Sequence, residues 1–344
     1  MSNRDRPPLL AQTSTTESSE SALRGVDRFR GMQFAGVSRR QALRARRDFH
    51  AASFRRRHTL AAHPRHSILH PVATRVEVEG LQPSPDELAF LHHVFRLANL
   101  PLARYRISPL TRRLPACLRA IKASTLADAT HRTAADLETL GKAVDALVIG
   151  VTSFFRDPQV FAHLRQEVIP ELARRETPPR VWSAACSDGA ELYSVAMLLA
   201  EHQVAASALL GTDCRPAAIE QARRGRYSKH QLSTLDPALR DRFFTAEAGA
   251  TSMQINASLR DQTKWRVADL TDVPTDPAAA ASSAQWDLIL CRNMAIYLQD
   301  VATARLWTTL SASLRPGGFL IVGKAERPSV SGLCRTGPCT YRKS

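Results

Sequence analysis

The chain of 344 residues can form one large domain or two ordinary ones around a sizeable core. Its apolar runs stay short of the roughly 18–20 residues that span a bilayer, and no secretory leader opens it. A cytoplasmic protein without membrane insertion is therefore expected. The formal net charge of +15 is concentrated: residues 1–75 hold 15 arginines, no lysine and five acids, which accounts for ten of the charges.

Residues 1–80 are rich in Arg, Ser, Thr and His without a sustained period of 3.6 or 2, and read as a disordered extension. Such a tail can touch nucleic acid, an anionic membrane or an acidic partner, or be only a solvated extension; a transit peptide shares the composition. Order is predicted from Ser84, where Ser84-Pro85-Asp86-Glu87 reads as a capping box with Pro at the first helical position. Leu88, Leu91, Phe95 and Ala98 then recur on one helical face. Further helices are predicted within Leu110–Arg119 and over Ala134–Ile149, so that residues 81–160 form a small helical domain and linker. Arg112, Arg113 and Arg119 make either a solvated face or a contact surface for an acidic helix.

From about Pro178 the pattern alternates. Strands are predicted at Arg180–Ala185, Ala208–Thr212, Trp286–Cys291 and Gly318–Val322, the last after a turn at Arg315-Pro-Gly-Gly318. Helices are predicted at Glu191–Glu201 (amphipathic), Pro216–Arg223 and Val301–Leu314. This alternation gives an α/β, doubly wound Rossmann-like domain over residues 161–344. Residues 225 to about 268 read as an insertion, with short strands within Met253–Leu259. Cys186, Cys214 and Cys291 fall at strand ends and read as buried thiols in a reducing compartment. Cys334 and Cys339 lack the partners of a zinc site, and no metal is expected.

The stretch Arg180–Ser194 runs from a strand through a small-residue turn closed by Gly189 into a helix, the nucleoside-binding corner of such sheets. It lacks the Gly-x-Gly-x-x-Gly spacing that admits a pyrophosphate, which points to S-adenosylmethionine. Asp213, 24 residues after Gly189, is placed to accept from both ribose hydroxyls, or to cap the helix at Pro216. Glu191 can pair with a methionine amino group or simply favour the helix dipole. Asp269 follows a strand-like Trp265-Arg-Val-Ala268 and can accept from an adenine amine. Arg292 and Asn293 end a central strand, where open α/β sheets bind ligands.

Thr152-Ser-Phe-Phe-Arg156, Trp182–Ser194, Asp213, Gly225-Arg-Tyr227 with Arg242-Phe-Phe244, Cys291-Arg-Asn-Met-Ala-Ile-Tyr297 and Tyr341-Arg-Lys343 occur in one order. In type and order they resemble the chemotaxis protein methyltransferase family, CheR, over about residues 84–344. The resemblance implies a helical N-terminal domain, an S-adenosylmethionine-binding α/β domain and a small β insertion. It also implies methyl transfer to glutamate side chains of chemoreceptors or related acidic helical signalling proteins, by a monomer with no specific nucleic-acid partner. On this resemblance Thr152 and Arg156 belong to the cofactor site, Glu191 to the methionine amine and Asp213 to the ribose. Asp269 and Leu270 meet the adenine, Arg292 and Asn293 follow the fourth strand, and Tyr297 lies near the methyl group. Arg156 and Tyr297 are the expected catalytic pair, Arg156 as guide for the acceptor carboxylate.

The sequence departs from the family pattern at several places. Gly150 replaces an Asn, Ala190 and Leu192 an acid and a proline, Arg215 a second acid, and Gly323-Lys-Ala-Glu326 a Gly-His-Ser-Glu. These departures admit a second reading, a non-catalytic CheR-like binding module in signalling. The basic charge admits a third, a nucleic-acid methyltransferase. The crowding of charge in the tail and the lack of an Asn/Asp-Pro-Pro-Tyr motif speak against the third.

Overall fold

Ser84 opens the helical part as its sequence dictates. In the computed structural model its hydroxyl accepts from the Glu87 N–H at 3.2 Å, and the Glu87 carboxylate accepts from the Ser84 N–H at 2.8 Å. The structure describes residues 82–148, 150, 152–246, 249–272 and 285–344. The expectation for residues 1–80 lies outside the described residues, as does the predicted helix end at Ile149.

The capping box starts α1 (Pro85–Leu97), which buries Phe90, Leu91, Val94 and Phe95. Leu88 and Ala98 are only partly buried, so the expected stripe traced one edge of a wider apolar arc. The Leu110–Arg119 helix is instead two, α2 (Ile107–Thr111) and α3 (Leu114–Ala120). Arg112 and Arg119 are exposed, whereas Arg113 donates to the Ala146 carbonyl at 2.5 Å and ties the helices together. Next come α4 (Leu126–Ala135) and α5 (Leu137–Leu147). The predicted start at Ala134 is wrong by three residues because Asp136 adopts extended backbone and caps α5, accepting from the Glu138 and Thr139 N–H groups. After α6 (Pro158–His163) and a wide turn, α7 (Ile169–Ala173) leads to the sheet.

The α/β part comprises β1 (Arg180–Ala184), α8 (Ala190–Glu201), β2 (Ala208–Asp213) and α9 (Pro216–Arg224). An insertion follows, with β3 (Arg226–Ser228), α10 (Pro237–Phe243), β4 (Phe244–Thr245), β5 (Ser252–Ile255) and α11 (Ala257–Arg260). Then come β6 (Thr263–Val267), β7 (Trp286–Cys291), α12 (Asp300–Ser313), β8 (Leu314–Val322), β9 (Leu333–Gly337) and β10 (Thr340–Lys343). The main sheet has the order β6-β2-β1-β7-β8-β10-β9, parallel through β8 and antiparallel at β10 and β9. Strand order therefore reverses at β1, and ligands of such sheets bind above the carboxyl ends there. Helices and sheet pack as one unit.

Three local expectations change. β6 pairs with β2, so Thr263–Val267 belongs to the main sheet and the insertion ends before it. The insertion's own sheet is β3-β5-β4, and its Met253–Leu259 region holds one strand and one helix. The expected turn Arg315–Gly318 lies inside β8 as an irregularity between the pairs Trp286–Leu314 and Leu288–Phe319. A further departure concerns α8, which is not amphipathic in place: every residue from Ala190 to Leu199 is buried. Its outer face is covered because Tyr193 packs on Tyr227 and Trp265, and Ser194 Oγ accepts from the Phe155 N–H.

Two acids, one buried and one half-buried, tie the frame. Asp287 on β7 is 0% exposed and holds Arg175 at 2.5 Å, Arg315 at 3.0 Å and the Arg180 N–H at 2.8 Å. Asp188, after β1, joins the insertion: its carboxylate accepts from Gln231 Nε2, and its carbonyl accepts from the Tyr227 hydroxyl at 2.7 Å. Burial raises the Asp188 carboxyl to about 6. Among the described residues no helix is long and apolar enough to cross a membrane, and all six cysteines are free.

Asp287→Ala leaves two guanidinium groups facing an empty buried site, and should cost about 3 kcal/mol in denaturant unfolding. Asp188 holds its proton more tightly when folded than unfolded, where such a group titrates near 3.9. Its contribution to stability is thus largest near pH 4 and is lost as pH rises through about 6. Urea unfolding from pH 4 to 7 should show wild type losing roughly 2 kcal/mol relative to Asp188→Asn; parallel profiles would refute this.

Candidate active site

A cavity of about 1120 Å³, counting its open mouth, lies above the carboxyl ends of β1, β2 and β7. Thr152, Arg156, Glu191, Asp213, Asp269, Leu270, Arg292, Asn293 and Tyr297, the residues expected from the sequence, all line it. The helical part supplies the roof. Tyr105 bridges Leu298, with the Arg106 N–H donating to Tyr297 O at 2.8 Å and the Gln299 N–H to Arg104 O at 2.9 Å.

The first wall is the turn after β1. Ala185, Ser187 and Gly189 all have positive φ, so the chain winds tightly enough to present the Ser187 N–H to Asp213 at 2.8 Å. Only a glycine fits at 189: a Cβ there would come within 2.8 Å of Trp265 and Ala222. The Asp213 carboxylate also accepts from the Arg215 N–H at 3.0 Å and from Arg215 Nε at 3.1 Å. Three of its roughly four acceptor sites are thus filled, leaving about one for a ligand rather than the two expected for a ribose.

The second wall centres on Arg292, whose guanidinium bonds Glu191 at 3.1 Å, Asp157 at 2.7 Å and the Arg156 carbonyl at 2.8 Å. Glu191 also accepts from Ser183 Oγ at 2.8 Å. Burial acts to raise the Asp157 carboxyl, but Lys324 and Arg292 outweigh it and hold it low. Asp157 does not cap α6 as a side chain; its φ of 62° turns it towards these cations. Phe155, also left-handed, precedes Arg156, so the segment carrying the expected guide is bent on both sides and pinned by Ser194 and Arg292. Asp269, also on the cavity, accepts from the Thr271 N–H and hydroxyl.

Glu326 was absent from the sequence-derived set. Its buried carboxylate accepts from the N–H groups of Asn293, Met294, Ala295 and Gly323, at 2.6 to 3.0 Å, and so shapes the loop after β7. The signal available was its place in the four-residue stretch after the last parallel strand. Tyr105, Ser187 and Arg215 were also missed as cavity residues. The cavity's cysteines are not nucleophiles: burial, then Asp213, raises Cys214 to about 12 and carries Cys186 well above its ordinary value.

Arg292 Nε and Asn293 Oδ1 are buried and have no partner among the described residues. One is a donor and one an acceptor, and both residues line the cavity. A ligand ending in an amino acid carries both complements, a carboxylate and an ammonium. With the Asp213 and Asp269 carboxylates on the same cavity as further acceptors, the donor set fits S-adenosylmethionine.

Comparison with known proteins agrees. Residues 150–335 match the family described as CheR methyltransferase, SAM binding domain. A chemotaxis protein methyltransferase of Vibrio parahaemolyticus is 32% identical over 241 residues, covering 67% of this chain and 82% of the relative. Another, of Listeria monocytogenes, is 32% identical over 265 residues, covering 75% and 97%. The chain therefore belongs to the CheR family of S-adenosylmethionine-dependent methyltransferases.

Proposed function

We propose that the protein methylates glutamate side-chain carboxylates of chemoreceptors in the cytoplasm, with Arg156 guiding the acceptor. The observation that carries this reading is the pinned Arg156 segment standing on the same cavity as Asp213, Glu191 and Tyr297. S-adenosylmethionine supplies a methyl group on a positively charged sulfur, which an ionised carboxylate can accept without a base. Asp213 accepts one ribose hydroxyl, Asp269 the adenine amine, and Glu191 with Asn293 the methionine ammonium. Thr152 and Leu270 complete the walls.

What remains for the protein is placement. Holding two reactants in line is worth about 7–11 kcal/mol. The Arg156 fork matches a carboxylate in shape and charge. A single such contact orients the acceptor without holding its ground state too tightly. Tyr297 lines the same cavity as the Arg292-Asn293 pair.

Calorimetry should show S-adenosylmethionine binding that weakens about 10- to 100-fold in Asp213→Ala. With radiolabelled methyl donor and a chemoreceptor-bearing membrane fraction, the label should be released by alkali, as an ester is. Arg156→Ala should slow labelling about 100-fold, more than it weakens cofactor binding. Label absent, or stable to alkali, overturns the carboxylate reading.

A further inference from the structure

Two departures from the family pattern, Gly150 and Arg215, meet in space. The Arg215 side chain, 7% exposed, lies where a side chain at 150 would stand: a Cβ on Gly150 would be 2.0 Å from Arg215 Nη2 and 2.1 Å from Cζ. Gly150 is outside the left-handed region, and the three atoms nearest to a Cβ there all belong to the Arg215 guanidinium, which stands in an alanine's way.

An arginine tip can usually swing aside, but this one is held on several sides. Nε donates to Asp213 at 3.1 Å, Nη2 donates to Ser187 Oγ at 2.9 Å, and Nη1 faces Asp145 at 3.6 Å. Ser187 Oγ in turn donates to the Gly150 carbonyl at 2.5 Å, which ties Gly150 to a ring of hydrogen bonds through Ser187, Asp213 and Arg215. Burial works against the guanidinium charge, yet Asp213 and Asp145 outweigh it and raise the Arg215 pKa.

We infer that Gly150 and Arg215 form one coupled positioning unit, in which the missing side chain at 150 makes room for the guanidinium that orients Asp213 towards the cofactor's ribose. This rests on Asp213 being the ribose acceptor. Arg215 is a positioning residue: it fills one oxygen of Asp213 and leaves the other, shared only with the Ser187 N–H, for the ligand. The three parts come from separate segments, after α5, β1 and β2, so the ring also fixes how these segments meet around the cavity.

Double-substitution cycles read by calorimetry with S-adenosylmethionine, with thermal melting alongside, test this. Gly150→Ala should weaken binding about 10-fold in the wild-type chain but less than 2-fold when Arg215→Ala has emptied the space. Arg215→Ala should weaken binding about 10-fold in the wild-type chain and less than 2-fold in Asp213→Ala, because it acts through that acid. Equal losses in both backgrounds of either cycle overturn the inference. Should Asp213→Ala bind as wild type does, the ribose reading itself has failed, which is a separate result. Arg215→Lys, which keeps the charge but lacks the fork, should fall between wild type and Arg215→Ala; binding equal to wild type shows charge alone suffices and overturns the ring.

Discussion

A buried guanidinium must be paired, and Arg292 is the group around which this molecule is arranged. Withdrawn from water, its charge is tolerable only with anions and carbonyls fixed beside it. Those partners come from far along the chain: Glu191 at the start of α8, Asp157 before α6, and the carbonyl of Arg156. Holding Arg292 therefore holds three segments in register. The bend of 155–157, costly in isolation at residues with positive φ, persists because the ion pairs over-determine it. Lys324 adds a second cation to Asp157 and draws the end of β8 into the same cluster.

Much of the fold was legible because its signals are local. The capping box at Ser84, the largely apolar β7 and the Gly189 turn each have a short-range cause, and each stands where the sequence put it. The errors share a different cause. Helix α8 looked two-faced, yet Tyr227, Trp265 and the Phe155 segment cover its outer side, and those partners lie 34 to 72 residues from the α8 residues they touch. β6 looked like insertion because its burial alternates weakly; only pairing with β2 assigns it to the main sheet.

The site shows the same division. Side chains that would meet a ligand were visible as types at strand ends, and one cavity gathers them. Side chains that hold those residues were not visible, because support is a matter of who stands beside whom. Arg215 read as a lost acid until its place over Gly150 was seen. Glu326 read as the end of an altered motif until its four amide donors were counted out in space.

Glu326 also bears on the order in which the molecule can become itself. Among the described residues, every one that lines the cavity precedes position 298 in the chain. Yet the amides of Asn293, Met294 and Ala295 have their acceptor only in a carboxylate some thirty residues later. A nascent chain emerging from the ribosome can thus hold all the lining groups and still lack a settled loop beside β7.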